Sequence, residues 1–280
     1  MKILFLSCES LTGYVSDDYL LVTELQEQGH SVETIAWTHD TDWSRFDCAI
    51  IRTTWDYVSM PEKFFKKLQH ISIQTKLYNS ISTVEWNIHK SYLKMLEKRG
   101  VTIVPTLLFK HDEDLKLPSD WNAAKFVVKP AISATSYKTV VLPREKILNH
   151  EYKNELVPGD WMCQPFIPHI TDGEVSLIYF NKKFSHALLK VPKAGDFRVQ
   201  EEFGGEITSY NASQELLALG QKIMEAIPEE LLYARVDLVP HEGHFALMEL
   251  ELIEPSLYFR TNPNAAKNFA KALMDVETKR

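Results

Sequence analysis

The first 80 residues alternate short apolar runs with segments in which apolar residues recur at helical spacing. Gly29 ends the first helical segment and Pro61 opens the second, as is common at the two ends of a helix. This strand–helix–strand–strand–helix order predicts a small, mostly parallel sheet, and ligands favour the edge where such strands end. The predicted strands are 2–6, 31–37 and 47–57, and the predicted helices are 17–29 and 61–71.

The pattern changes near residue 80, where strand pairs replace the parallel repeat. Ser82 and Glu85 have the spacing of a capping box at a helix start, and Leu93 and Leu96 face inward in a second helix that stops at Gly100. Strand pairs with short turns then predict antiparallel sheets. The predicted hairpins are 124–142, 174–191 and 233–252, and further helices are predicted over 213–227 and 264–277.

Charged residues share one face of the last predicted hairpin, at alternate positions to its aliphatic residues. Arg235, Asp237, Glu249 and Glu251 have this parity, and a three-residue turn centred on Gly243 places Asp237 opposite Glu249. Like charges opposed across a ladder destabilise it. Close packing also raises the pKa of a carboxyl group unless a cation neutralises it.

Two interpretations of this acidic face follow. The polar face of an antiparallel sheet is usually the solvent face, and the carboxylates would then have no function. Phe245 and Leu247 have the same parity, however, so we expect the face to be partly apolar and covered. Mg²⁺ is typically held by one or two carboxylates together with substrate phosphates. We therefore interpret the hairpin as half of a metal–phosphate site.

Composition narrows the class of protein. The chain has 280 residues, of which 45% are hydrophobic and 25% charged, which is typical of globular proteins. The formal net charge of −7 argues against a nucleic-acid partner. No apolar run approaches the ~18 residues of a membrane span, and residues 1–7 are interpreted as a strand rather than a leader. Three widely spaced cysteines predict neither disulfides nor a zinc site and favour a cytoplasmic location; a homodimer is left open.

The phosphate partner of such a metal site has no common motif in this chain. Neither G-x-x-x-x-G-K-[ST] nor G-x-G-x-x-G occurs. Lys129 instead ends an apolar strand before a small, hydroxyl-rich loop, and Lys90 lies early in a predicted helix. A single such lysine is more often a solvated surface residue, so the two gain meaning only together with the acidic hairpin.

This order of residues resembles the ATP-grasp superfamily over the stretch from Lys90 to Ser256. The segments "RTTWDY", "QPFIPHI", "GEVSLIYFNKKFSHALLKVPKAGDFRVQEEFGG" and "LMELELIEPSLYF" are similar to a group of D-cycloserine-forming and glutathione-synthetase-like ligases. The resemblance implies an α/β fold with an N-terminal parallel α/β domain and two α+β lobes that enclose ATP. The implied domains are 1–82, 83–164 and 165–280.

The resemblance also assigns nucleotide and metal roles. Two lysines would hold phosphates under the loop 131–139, which lacks the glycines that many ATP-grasp enzymes have there. Asp237, Glu249 and Glu251 would bind two Mg²⁺, with Glu251 standing where the family usually has Asn. The implied nucleotide-binding residues are Lys90, Lys129, Ser133 and Ser136 around the phosphates, Gln164, Phe166 and Ile167 around adenine, and Glu174 near the ribose.

Two arginines become catalytic candidates on the same resemblance. Arg198 would stabilise the transferring phosphoryl group and Arg235 the acyl phosphate. The alternative for each is a surface ion pair.

Candidate substrate residues lie where the third strand ends. Arg52 would pair with a substrate carboxylate and Asp56 with an amine. The alternative, given equal weight, is that Trp55 and Tyr57 pack the domain junction while Arg52 pairs locally. The full candidate set is Arg52, Trp55, Asp56, Tyr57 and Ser256.

The implied activity is ATP-dependent, ADP-forming carboxylate–amine ligation through an acyl-phosphate-type intermediate, on a small amino-acid-like substrate. Ring closure, as in D-cycloserine formation, is one form that it would take. Modification or cyclisation of a peptide is an alternative, and so is a nucleotide-binding protein without turnover. Turnover is favoured because the full set of phosphate-binding and metal-binding groups is present.

Overall fold

A computed structural model describes residues 1–278 and contains three β-sheets. The first sheet is fully parallel, with strand order β2-β1-β3-β4, and confirms the sheet predicted from the first 80 residues. Its three-residue last strand was too short to be predicted. The elements are β1 (Lys2–Ser7), α1 (Tyr19–Glu27), β2 (Ser31–Ala36), β3 (Cys48–Thr53), α2 (Pro61–Gln74) and β4 (Lys76–Tyr78).

Two short helices, α3 (Ile81–Asn87) and α4 (Tyr92–Lys98), follow this sheet. The predicted capping box at Ser82 is wrong. Ser80 caps α3, because its backbone is extended and its hydroxyl accepts a hydrogen bond from the Thr83 N–H. The helical position predicted for Lys90 is also wrong, since this residue lies in the turn between α3 and α4.

The second sheet is antiparallel, in the order β5-β8-β6-β7. Its core includes Phe126, Tyr152 and Trp161, all almost completely buried. The hairpin predicted over 124–142 is confirmed. The elements are β5 (Leu107–Lys110), β6 (Lys125–Pro130), β7 (Val140–Pro143), α5 (Arg144–Leu148) and β8 (Asp160–Pro165).

The third sheet is also antiparallel, in the order β11-β10-β9-β12-β13. All seven residues of the central strand β9 are buried. The hairpins predicted over 174–191 and 233–252 and both predicted helices are confirmed, whereas the edge strand β11 was not predicted. The elements are β9 (Glu174–Phe180), β10 (Lys183–Val191), β11 (Glu206–Tyr210), α6 (Gln214–Ala226), β12 (Tyr233–His241), β13 (His244–Glu251) and α7 (Ala265–Glu277).

The register of the β12–β13 hairpin places Asp237 opposite Glu249, as predicted, but by a different route. The turn contains two residues, Glu242 and Gly243, both with positive φ, rather than three. A bulge after Asp237 restores the predicted pairing, and it pairs Leu238 with Leu247.

The bulge also changes which residues share the acidic face. Leu247 belongs to the same core cluster as Leu250 and Leu252, and Phe245 packs against that cluster. The prediction that Phe245 and Leu247 lie with the acidic residues is therefore wrong.

Tyr233 at the start of β12 joins the first and third sheets. Its hydroxyl lies 2.9 Å from the Ile51 carbonyl oxygen and 2.8 Å from that of Ile253, and it accepts a hydrogen bond from the Asn79 N–H. The two sheets thus contact through buried polar groups. The three predicted domain boundaries stay a prediction.

The three cysteines are free and buried. Between residues 1 and 278 the structure has no helix long and apolar enough to cross a membrane.

Candidate active site

A cleft between the second and third sheets brings most of the predicted nucleotide residues together. Lys129 on β6 and Gln164 on β8 form one wall, and Glu174 on β9 with Glu249 and Glu251 on β13 form the other. Loops contribute Ser133, Ser136, Phe166, Ile167 and Arg198 to the same cavity, which we call the nucleotide cavity.

One end of the nucleotide cavity is apolar. Phe166 and Phe197 contact edge to face there, and Ile167 is buried. Gln164 is almost fully buried, and its amide donates to the Thr106 hydroxyl at 2.9 Å, which fixes its orientation. Such a slot has the character of a site for a flat heterocycle. Further apolar lining comes from Val127, Ile170, Val199 and Met248.

At the charged end, Glu249 bridges the two predicted phosphate lysines. The Lys90 ammonium lies 2.8 Å from Glu249 Oε1 and donates to the Ser133 carbonyl oxygen at 2.7 Å. The Lys129 ammonium lies 3.5 Å from Glu249 Oε2. Burial favours a raised pKa for Glu249, but the ammonium groups of Lys129 and Lys90 outweigh it and hold the pKa well below its ordinary value.

The loop 131–139 turns back over this end without glycine. Thr135, Ser136 and Lys138 adopt left-handed backbone angles instead, which non-glycine residues rarely do. The Ser133 hydroxyl donates to the Pro130 carbonyl oxygen, and the Ser136 hydroxyl donates to the Gln200 side chain at 3.3 Å. The loop is therefore held by its own polar groups and by the facing loop.

The acidic face of the hairpin contains a buried network of opposite charges. Arg235 Nε lies 3.0 Å from Asp237, and the Arg235 guanidinium also bonds Glu251. Lys190 lies 3.1 Å from Asp237 and pairs with Glu174. Burial opposes ionisation of Asp237, yet Arg235 and Lys190 lower its pKa.

Lys190 is a residue that sequence analysis missed, and its position explains Glu174. Burial disfavours the Lys190 ammonium, but Asp237 and Glu174 raise its pKa. The polar parity of Lys190 among the aliphatic residues of β10 was the signal that could have found it. Glu174 lines the nucleotide cavity, where it is paired with Lys190.

Negative charge is in excess around Glu251 and Glu254. Burial raises the pKa of Glu251 to about 7, with contributions from Asp237 and Glu249 that Arg235 opposes. Burial and the neighbouring Glu251 raise the pKa of Glu254 to about 8. Glu254 was missed by sequence analysis, since it lies beyond the last strand.

These carboxylates suit a hard divalent cation by chemistry. Carboxylates that repel one another stay partly protonated, and a bound dication offsets this repulsion. Within residues 1–278, however, no group of three or more acidic, histidine or cysteine side chains is arranged to hold a metal ion, and lysine and arginine side chains pair with these carboxylates. Glu249 and Glu251 offer the oxygen ligands that Mg²⁺ prefers, and so does Asp237, which here is paired with Arg235 and Lys190.

The two catalytic arginine candidates have different surroundings. Arg235 is buried and touches the acidic face. Arg198 lines the nucleotide cavity but forms a local bidentate pair with Asp196, at 2.7 Å, and stacks on Phe203. Asp196 raises the pKa of Arg198 through this hydrogen bond.

Arg52 and Asp56 do not occupy the substrate positions predicted for them. Arg52 is 1% exposed and pairs bidentately with Asp18, at 2.7 and 3.0 Å. Asp56 accepts a hydrogen bond from the Trp37 indole at 2.7 Å. The alternative of a local ion pair for Arg52 is therefore correct, because the side chain points into the domain interior.

The remaining substrate candidates surround a second cavity and a smaller third one. Trp55 and Ser256 line the second cavity with Tyr258, and Tyr57 lines the third with Lys90. Tyr57 also stacks on Phe64 of α2, and its predicted packing at a domain junction stays a prediction. We call the second cavity the substrate cavity; it shares Glu174, Glu249 and Glu251 with the nucleotide cavity.

Family models match both parts of the chain. Residues 88–271 match the RimK-like ATP-grasp domain, and residues 3–79 match the family described as "D-cycloserine synthetase DcsG, N-terminal domain". The cycloserine biosynthesis protein DcsG of Streptomyces lavendulae is 29% identical over 270 residues, which cover 88% of this chain and 89% of that protein.

Solved structures show the same fold. The crystal structure of D-cycloserine synthetase DcsG has a TM-score of 0.88 at 24% identity and covers 98% of this chain and 99% of its own. D-alanine–D-alanine ligase from Bacillus anthracis complexed with ATP has a TM-score of 0.69 at 15% identity, with coverage of 98% and 95%. The ATP-grasp fold predicted from the sequence is thereby confirmed.

A family match over more than half of the chain, together with this fold and cleft, settles the membership. ATP-grasp ligases generally use ATP and Mg²⁺, and the cleft supplies groups suited to both. The chain belongs to the RimK-like ATP-grasp family and is an ATP-dependent, ADP-forming carboxylate–amine ligase.

Proposed function

We propose that the protein activates the carboxylate, or a carbonyl-type oxygen, of a small amino-acid-like substrate as an acyl phosphate and then joins it to a nitrogen nucleophile. The substrate oxygen attacks the γ-phosphorus of ATP and ADP leaves. The nitrogen then displaces inorganic phosphate and loses a proton. The observation that carries this proposal is the meeting of the nucleotide and substrate cavities at Glu249 and Glu251.

The residues of the cleft supply positioning and charge for this reaction. Lys129 in the nucleotide cavity and Lys90 on the other side of Glu249 would hold ATP phosphates, and Arg235 would face the charge that develops on the transferring phosphoryl group. Arg198 would reach the phosphates after leaving Asp196. Phosphoryl transfer needs little covalent help from the protein, which fits a cleft that combines cations and carboxylates.

Metal binding is proposed at the acidic face. Glu249 and Glu251, with Asp237 after rearrangement, would hold two Mg²⁺, which would neutralise phosphate charge when bound. Gln164, Phe166 and Ile167 would surround adenine, and Ser133 and Ser136 the phosphates.

Ring closure within one substrate is the form of ligation that we favour. It is supported by the similarity to cycloserine biosynthesis protein DcsG and by the match of residues 3–79 to a DcsG N-terminal domain. In such a reaction the attacking nitrogen belongs to the activated molecule, so only ATP and one further substrate are needed.

A coupled ADP-release assay tests this function. It compares amino acids of both configurations, ureido amino acids and short peptides, each with and without Mg²⁺. Magnesium-dependent ADP release with a single small substrate, and a product that has lost water relative to it, is expected. Release only in the presence of a second amine would contradict ring closure.

Peptide modification is the second candidate, favoured by structural neighbours. The macrocyclase MdnC bound with precursor peptide MdnA, from Microcystis aeruginosa MRC, has a TM-score of 0.67 at 12% identity and covers 99% of this chain. ADP release with peptides and none with amino acids would establish this candidate instead.

A further inference from the structure

The substrate cavity is strongly acidic. Seven carboxylate residues line it, against two basic residues, Lys190 and Arg235. Both basic side chains already pair with carboxylates of the cavity. Arg52, the predicted partner of a substrate carboxylate, is buried with Asp18 instead. Among the described residues, the lining of the substrate cavity therefore offers no unpaired cation to a substrate carboxylate.

Glu254 differs from the other carboxylates of this face. Glu174, Asp237, Glu249 and Glu251 each have a lysine or arginine nitrogen within ion-pair distance. Over the described residues, Glu254 has none, although it is only 7% exposed. Tyr57, which carries no charge, lines the third cavity together with it. A buried carboxylate without a cation is costly unless a ligand supplies one.

The location of Glu254 separates it from the nucleotide. It lines the substrate cavity and the third cavity, but not the nucleotide cavity with its apolar slot. The side chain therefore lies on the side of Glu249 and Glu251 that faces away from the base-binding end.

The backbone that carries Glu254 is held in place by buried side chains. The Trp55 indole donates to the Glu254 carbonyl oxygen at 2.9 Å, and the Asn79 amide donates to that of Leu252 at 2.8 Å. The Tyr233 hydroxyl lies 2.8 Å from the Ile253 carbonyl oxygen. Three consecutive residues are thus fixed, which gives the carboxylate a defined position for recognition.

We propose that the Glu254 carboxylate binds the ammonium group of an amino-acid substrate and so sets its orientation in the cleft. The ammonium end lies at Glu254, between Trp55 and Tyr57, and the oxygen to be phosphorylated points towards Glu249, Glu251 and Arg235. This inference rests on the proposed function, because it deepens the substrate class of the same site.

Paired substrates test the inference on the full-length protein. Free amino acids that support ADP release are compared with their N-acetyl derivatives, which lack the charge. We expect Glu254→Gln to raise the KM for the amino acid on the order of 10- to 100-fold, because a charge-assisted hydrogen bond is lost. The KM for ATP and the Mg²⁺ concentration for half-maximal rate should change less than twofold.

Two further variants make the result specific. Glu254→Asp keeps the charge and should recover part of the lost KM. Glu206→Gln removes an exposed charge on β11, outside the cleft, and should leave all three quantities unchanged. A shift in Mg²⁺ dependence with an unchanged amino-acid KM would overturn the proposal and assign Glu254 to a cation site. N-acetyl substrates as good as the free ones would also overturn it.

Calorimetry separates this proposal from the proposed function. The same amino-acid pairs are titrated into the wild type and Glu254→Gln in the presence of Mg²⁺ and ADP. Ammonium-dependent binding that Glu254→Gln removes, without any turnover, would support the recognition and contradict the ligation. Absence of ammonium-dependent binding in the wild type would overturn the recognition itself.

Discussion

Glu249 is the residue at which the proposed nucleotide, metal and substrate functions would converge. It pairs with Lys90 and Lys129, and it lines all three cavities. Its pKa lies below the ordinary value because two ammonium groups flank it. It is therefore ionised at neutral pH, as the proposed exchange of lysine for a dication requires.

We expect Glu249→Gln to lower the rate of Mg²⁺-dependent ADP release on the order of 100-fold or more, because a carboxylate ligand is lost where phosphate charge develops. The measurement is kcat over a series of Mg²⁺ concentrations. Circular dichroism should show an intact fold, and Glu206→Gln serves as the control. Wild-type turnover by Glu249→Gln would remove this residue from the metal site.

Arg52 provides the contrasting case of a residue with a structural role. Its guanidinium is buried against Asp18 and near the rings of Tyr233 and Phe259. We expect Arg52→Ala to reduce the free energy of unfolding by about 3 kcal/mol, since it leaves Asp18 without its partner. Urea denaturation measures this change. A rise in substrate KM, with stability unchanged, would restore the substrate role that the sequence suggested.

At the scale of elements, the loop 196–204 is set by a close backbone contact. A Cβ on Gly205 would lie 2.1 Å from the Val199 carbonyl oxygen, so no other residue fits without moving this loop. The loop carries Arg198, Val199 and Gln200 into the nucleotide cavity. Its position thus depends on a glycine outside the cavity.

Gly205→Ala should therefore raise the KM for ATP several-fold while the protein stays folded, because the cavity wall shifts. Gly220→Ala is the matched control: its Cβ would meet the Tyr179 side chain between α6 and β9, away from the cleft. That variant should lower Tm and leave the KM for ATP unchanged. Equal KM effects of the two substitutions would show that the loop is not the cause.

The sequence predicted elements well where their period was regular and their packing local. It failed where a tertiary contact or one extra residue decided the outcome. The bulge after Asp237 left the pairing with Glu249 intact yet moved Leu247 to the other face, which periodicity alone does not reveal. Likewise, both Ser80 and Ser82 are residue types that suit a cap. Ser80 caps α3 because the backbone is extended at Ser80 and already helical at Ser82.

At the scale of the whole molecule, most residues that line the cleft were predicted, but their ion pairs were not. Lys129, Glu249, Glu251 and Gln164 meet in one cleft as the resemblance implied. The pairing of Lys190 on β10 with Glu174 and Asp237 could not be inferred, because only the order of β10, β9 and β12 in the sheet brings these side chains together. Arg52 was misplaced because strand-end position does not tell whether a side chain points outward.

The buried acids also make the stability of the whole molecule depend on pH. Raised pKa values of about 7 for Glu251 and about 8 for Glu254 mean that the folded chain keeps protons that the unfolded chain has released. Stability from such groups falls as pH rises towards these values. His186, whose pKa burial lowers to about 4, is still partly protonated in the unfolded chain just above pH 6.5, so it opposes the effect only weakly over this interval.

Between pH 6.5 and 8 we expect the free energy of unfolding, without nucleotide or metal, to fall by about 2 kcal/mol. Urea denaturation at the two pH values measures it. Glu254→Gln should reduce the slope, because one of the retained protons is gone. Stability that rises over this interval would show that these carboxylates are ionised in the folded protein.

The internal pairing of Lys90 and Lys129 with Glu249 has a consequence for ionic strength. Many phosphate-binding proteins present free cations to solvent, and added salt then screens their attraction for the ligand. Here both cations already pair with Glu249 and are sheltered in the cleft, so the proposed nucleotide binding would exchange one set of ion pairs for another. Added potassium chloride should consequently leave the affinity for magnesium–ATP nearly constant.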